Sequence, residues 1–99
     1  MLVQSSPLAG FRYYQASQVW ERMQVGDALE LVREPKNIHD DLAIRVEWRG
    51  LQLGYVPRAD NRAVAAHLDR GGRVEARISK LREHPNPRQR LEFEVLVRL

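Results

Sequence analysis

Leu91, Phe93, Val95, Val97 and Leu99 alternate without a break with Arg90, Glu92, Glu94, Leu96 and Arg98. Successive strand side chains point to opposite faces, so this run predicts a strand with one face in a core and the other towards water. Such a strand needs partners with the same period, and the chain supplies them. Leu29, Leu31 and Arg33 alternate with Ala28, Glu30 and Val32, and Ile44, Val46 and Trp48 alternate with Arg45 and Glu47 within Ala43–Trp48. Leu51, Leu53 and Tyr55 make a third run, and Val74, Ala76 and Ile78 a fourth with room to continue to Leu81. Met1 to Val3 start another strand that Ser5-Ser6-Pro7 interrupts, and Gly10-Phe11-Arg12-Tyr13-Tyr14 reads as an aromatic-rich extended segment. If extended, Phe11 and Tyr13 share one face and Arg12 and Tyr14 the other, which puts one tyrosine in the core.

Turn chemistry separates these runs. Arg49-Gly50 suits a tight hairpin. His84-Pro85-Asn86-Pro87 cannot join a ladder, because proline lacks the N–H. One clear helix is expected over Asn61–Arg70, capped by Asp60 or Asn61 and stopped by Gly71-Gly72, with Val64, Ala65 and Leu68 as a narrow apolar stripe and His67 as a solvated side chain. Ala16–Met23 reads as a short helix or a set of turns, with Val19, Trp20 and Met23 close on one face. No helices alternate with the strands, so a parallel sheet is not expected. Short antiparallel sheets hide their edges by closing. The fold class is therefore mainly β: a small antiparallel β-barrel with one main α-helix and room for a second short one, in a single domain over residues 1–99.

Several function classes drop out on composition. A chain of 99 residues supports one modest core, burying roughly 60–65% of its unfolded surface. It contains no cysteine, which removes thiol nucleophiles, disulfides and Cys-type zinc sites. His39, His67 and His84 lack the i,i+4 spacing of a metal pair, and Asp40 and Asp41 are adjacent and point apart if extended. There is no phosphate-binding glycine loop and no nucleophile elbow around Ser5, Ser6, Ser17 or Ser79. The expectation is a non-enzyme without cofactor or metal. A nuclease built on His39, Asp40 and a divalent ion is the weakest alternative. No apolar run approaches the ~20 residues of a membrane span, and no signal peptide is apparent, so a cytoplasmic protein is expected. The formal charge is +3, and Lys36 and Lys80 are the only lysines among the basic residues. An arginine's planar fork of donors suits phosphate.

The stretch Arg33 to Val46 is a polar loop held at both ends by strands, and such loops commonly carry function. Pro35, Asn37, Asp40 and Asp41 favour turns over a ladder.

Four pieces, in this order, resemble the HIRAN domain family: Arg12-Tyr13-Tyr14; Val25-Gly26-Asp27 leading to Leu31-Val32-Arg33-Glu34-Pro35; Asn37-x-His39-Asp40-x-x-Ala43-Ile44-x-Val46; and Leu53-Gly54-Tyr55-Val56-Pro57-Arg58. Asn61, Ala65 and the Gly71-Gly72 stop continue the likeness, which spans roughly residues 10 to 82. The chain resembles the stand-alone bacterial kind. The resemblance implies an OB-like antiparallel barrel that binds single-stranded DNA, with the eukaryotic domain of a helicase-like transcription factor capturing a free 3′-hydroxyl end. Carried over by position, Asp40 accepts from the 3′-hydroxyl, Arg12 and Arg58 hold phosphates, and Tyr13 stacks on a terminal base. Asn37 bonds base or backbone near the end, and Tyr55 faces the ligand. His39 stands where the best-known member has tyrosine, leaving a smaller ring to stack on.

The residue chemistry agrees with that implication. A carboxylate repels phosphate, yet it is a strong acceptor for a terminal hydroxyl that an internal phosphodiester lacks. The expected role is recognition of 3′-hydroxyl ends in DNA repair or replication-fork processing, near the nucleoid, with a helicase or nuclease acting in trans. The competing expectation is a protein-interaction domain on the same barrel without DNA binding. A further possibility is that Arg33 or Arg58 merely pairs with Asp40 to fix the loop.

Overall fold

The computed structural model describes residues 2–97. Six strands form among them: β1 (Leu2–Pro7), β2 (Ala28–Arg33), β3 (Ile44–Trp48), β4 (Leu51–Tyr55), β5 (Val74–Leu81) and β6 (Leu91–Val97). Every pairing is antiparallel, in the order β1-β6-β5-β2-β3-β4. The architecture is the mainly β, OB-like one expected: the sheet curls into a half-barrel carrying one helix, α1 (Arg58–Asp69). In place of a second helix, Trp20–Arg22 makes a single 3-10 turn.

The strand β6 behaves as its alternation requires. Leu91, Phe93, Val95 and Val97 are buried, whereas Glu92, Glu94 and Leu96 are half-buried. The core also takes Ile78, Ile44, Val46, Trp48 and Leu53 from the other strands, Val64 and Ala65 from α1, and Leu8, Phe11, Val19 and Met23 from the segment between β1 and β2. Strand β2 changes partners along its length. Ala28 and Leu29 pair with β5, and Glu30 to Arg33 pair with β3, which bends the sheet towards closure. The β3–β4 hairpin turns on Arg49 and Gly50, both at positive φ (49° and 81°), the geometry whose twist matches the flanking strands.

The two sheet edges meet beyond β1. Ala9 and Tyr55 exchange both backbone hydrogen bonds at 2.9 Å, and Leu8 N–H donates to Leu91 O at 3.1 Å. Gly54 permits this join, since a Cβ there would lie on the Ala9 carbonyl oxygen.

Four local expectations are corrected. Strand β1 runs through Ser5-Ser6-Pro7 without interruption, because it is an edge strand where Pro7 loses no ladder bond towards solvent. Ser6 is buried and donates to Asp60 Oδ2 at 3.0 Å, tying β1 to α1. Met1 and residues 98–99, also assigned to strands by pattern, lie outside the described residues. The segment Gly10–Tyr14 is a set of turns rather than a strand. Gly10 has φ 82°, and Tyr13 N–H donates back to Gly10 O at 2.9 Å. Phe11 and Tyr13 therefore do not share a face: Phe11 is buried and Tyr13 is 80% exposed. Lastly, α1 starts three residues earlier than expected. Pro57 occupies the N-cap position with no side-chain cap, and the expected caps are engaged elsewhere, Asp60 with Ser6 and Asn61 with Asp40. The helix does stop at the glycines, with Gly71 at φ 78°. His67 is half-buried against Gly72 instead of solvated, its Nε2 buried with no protein partner.

Candidate nucleic-acid interface

The loop between β2 and β3 is held by its own polar side chains. Asn37 Oδ1 accepts from the N–H groups of His39 (2.8 Å) and Asp40 (3.2 Å), an Asx-type closure that folds the loop tip back. Asn37 Nδ2 donates to Glu34 Oε1 at 2.9 Å. Glu34 also accepts from Tyr55 Oη at 2.8 Å and from Arg45 Nη1 at 2.8 Å. Burial alone would raise the Glu34 carboxyl, but the three donors outweigh it and hold it below its ordinary value. Tyr55 shifts the other way, raised by burial and by donating to Glu34.

Asp40 sits at the inner end of this loop. Its Oδ1 accepts from Leu42 N–H at 3.0 Å and its Oδ2 from Asn61 Nδ2 at 2.9 Å. The Leu42 N–H, then Asn61, then the nearby guanidinium groups of Arg58 and Arg33, overcome burial and hold Asp40 below the usual carboxylate range. An ionised carboxylate has about four acceptor positions, so it keeps capacity for another donor. The arginines divide unequally. Arg33 is committed to Asp69 through two hydrogen bonds (2.9 and 3.1 Å) and to the Ala43 carbonyl. Arg58 donates to His39 O at 3.0 Å, and its Nε lies 3.9 Å from Asp40 Oδ2 while the side chain stays largely in solvent. Of the two arginines weighed as partners of Asp40, Arg58 is thus the one beside it, and Arg33 is taken by Asp69.

A cleft of about 410 Å³ opens here, lined by Tyr13, Asn37, His39, Asp40, Tyr55 and Arg58 together with the Ala9–Gly10 backbone and Tyr14. Tyr14 packs edge-on to Tyr55, ring centroids 5.6 Å apart, and so braces one wall. Six of the seven residues singled out from sequence line this one space. Arg12 does not. It lines an adjoining groove of about 350 Å³ that shares Ala9, Gly10 and Tyr13 with the cleft. Among the described residues no three His, Asp or Glu side chains converge as a metal site, and no helix is long and apolar enough to cross a membrane.

The HIRAN domain model matches residues 1–99. The chain belongs to the HIRAN domain family. This is a family of binding domains, and HIRAN domains bind single-stranded DNA. Two solved structures share the fold. The crystal structure of a protein from Lactobacillus plantarum is 28% identical, with a TM-score of 0.79 over 98% of each chain. The HIRAN domain of human HLTF is 19% identical, with a TM-score of 0.76 over 96% of this chain and 74% of that one. No curated protein matches the sequence.

Sequence reasoning missed two members of the site. Asn61 was placed as a cap, yet 61, 64, 65 and 68 form one helical face, and a lone amide on that apolar stripe signals a buried polar partner. Glu34 joins the β2–β3 loop to β3 and β4 through Asn37, Arg45 and Tyr55, but nothing in its local pattern separates it from any solvated glutamate.

Proposed function

We propose that residues 1–99 act as one module that binds the free 3′-hydroxyl end of single-stranded DNA. The observation that carries this reading is Asp40: an ionised carboxylate, fixed by Leu42 N–H and Asn61 Nδ2, opening into a cleft with aromatic walls and one largely solvated arginine. A 3′-hydroxyl offers it a donor, whereas a 3′-phosphate meets a like charge. The exposed Tyr13 ring stacks on the terminal base, with His39 of the same cleft as a smaller platform. Arg58 keeps donors for the last phosphate. Asn37 and Tyr55 spend their polar groups on Glu34 and the loop backbone, so their part is to shape the wall and offer ring and edge contacts. Such a module serves DNA repair or replication-fork processing in the cytoplasm, presenting ends to a helicase or nuclease in trans.

The test compares labelled oligonucleotides ending in 3′-hydroxyl or 3′-phosphate. The hydroxyl end should bind about tenfold more tightly, the size of one charge-assisted hydrogen bond gained against one repulsion. Asp40→Ala should erase that preference. Equal binding of both ends by the unaltered protein defeats end capture, and no amide shift with any oligonucleotide at low salt favours the protein-interaction reading.

A further inference from the structure

The groove next to the cleft shares Tyr13 with it, and its far side, Asn86 to Arg88, has no role in end capture. Its walls are Phe11, Arg12, Tyr13, Asn86, Pro87 and Arg88, so it brings the Gly10–Tyr14 turns against the β5–β6 connection. That connection is stiffly built. His84 Nδ1 accepts from Asn86 N–H (3.0 Å), Asn86 Oδ1 accepts from Arg88 N–H (3.0 Å), and a 3-10 turn runs over Pro87–Gln89. Arg90 Nε donates to His84 O at 2.7 Å, and Arg82 Nε donates to Gln89 O at 2.9 Å. The flanking arginines are consumed in fixing the loop. The guanidinium of Arg88 is not, and neither is that of Arg12: both are exposed, and neither has a hydrogen bond or ion pair among the described residues. Two uncommitted cations therefore face one groove that leads straight out of the cleft past Tyr13.

We propose that this groove carries the nucleotides 5′ of the captured end, with Arg88 and Arg12 together gripping a phosphate of that segment. This rests on the cleft holding the 3′ terminus, and it fixes what that reading leaves open: the direction in which the strand leaves and a footprint longer than one nucleotide. The terminal sugar and base occupy the cleft beside Asp40. The chain then passes the Tyr13 ring, which lines both spaces, and its backbone meets the guanidinium pair. Neither arginine reads a base, so the groove adds affinity and salt dependence without sequence preference.

The experiment measures affinity of the full chain and of Arg88→Ala for 3′-hydroxyl oligothymidylates from about two to about eight nucleotides, at several salt concentrations. The Arg88 guanidinium has no hydrogen bond or ion pair among the described residues, so the variant should keep its amide spectrum and melting temperature. The unaltered protein should gain affinity with length and then level off. Arg88→Ala should match it on the shortest ligand, fall roughly fivefold behind on the longest, and lose about 0.7 from the log–log salt slope. Arg88→Lys should recover most of the slope. Identical length dependence and salt slope in both proteins overturns the groove while leaving end capture standing, provided the 3′-hydroxyl preference persists. A length-dependent loss in Arg88→Ala with no end preference supports the groove and removes the 3′ terminus from the cleft. Absence of binding by the unaltered protein overturns both.

Discussion

The two walls of the cleft are built on opposite terms. The wall from residues 34–43 spends its polar groups internally: Glu34 takes Asn37, Tyr55 and Arg45, and Asp40 takes Leu42 and Asn61. The opposite side, made by the Gly10–Tyr14 turns and continued in the adjoining groove by the β5–β6 connection, leaves three groups out, with Tyr13 in solvent and the guanidinium groups of Arg12 and Arg88 without partners among the described residues. The first wall contributes to folding and offers a fixed acceptor. The second is anchored by buried Phe11 and by the hydrogen bonds of the β5–β6 connection, while Tyr13, Arg12 and Arg88 themselves add little to folding and stay available to a ligand. Side chains that hold the fold and side chains left free for a ligand thus sit side by side, and mutations should separate them.

The largest separation is expected at Glu34. Glu34→Ala strands Tyr55 Oη and Asn37 Nδ2 in half-buried positions, and should cost about 2–3 kcal/mol in urea unfolding. Arg12→Ala should stay within about 0.5 kcal/mol. Similar losses for the two would erase the distinction. Tyr13→Ala tests the other wall. Its ring supports nothing in the fold, so the melting temperature should hold while affinity for single strands drops by about 1–2 kcal/mol, one stacked base. A variant that melts early would show that the ring supports the barrel after all. Acidification gives the smallest effect. Glu34 and Asp40 are held below ordinary carboxylate values, so their contribution is complete above the unfolded range and is lost as pH falls through the folded values. Stability should therefore decline as pH falls below about 4, and the 3′-hydroxyl preference should follow once the folded Asp40 carboxyl, held lower, takes up its proton. Loss of preference without loss of stability would uncouple Asp40 from the loop that holds it.

Much of this was readable before any coordinates. The alternation in β6 and the Arg49-Gly50 turn fix most of the strands, because burying one face every second residue leaves little freedom. The cleft's polar loop was legible for the same reason: Pro35, Asn37, Asp40 and Asp41 cannot continue the strands on either side. Gly10–Tyr14 was misread because aromatic propensity suggested a strand while one glycine at positive φ turned the chain. The start of α1 was missed because capping propensity is local, whereas Asp60 and Asn61 answer to Ser6 and Asp40, distant in sequence. Arg88 carried no signal, since a guanidinium without a partner looks like any other surface arginine.

The curled sheet is fastened beyond β1 by the exchanged peptides of Ala9 and Tyr55 and by Gln15 N–H on Gln52 O, and Gly54 is what lets the ends come that close. Tyr13 travels with one end of the hoop, while Asp40, Tyr55 and Arg58 travel with the other. A guest spanning the opening becomes a clasp, strengthening the whole hoop by about 2.7 kcal/mol when present at a hundredfold excess over its dissociation constant. How firmly this small barrel is shut is then decided partly by what it holds.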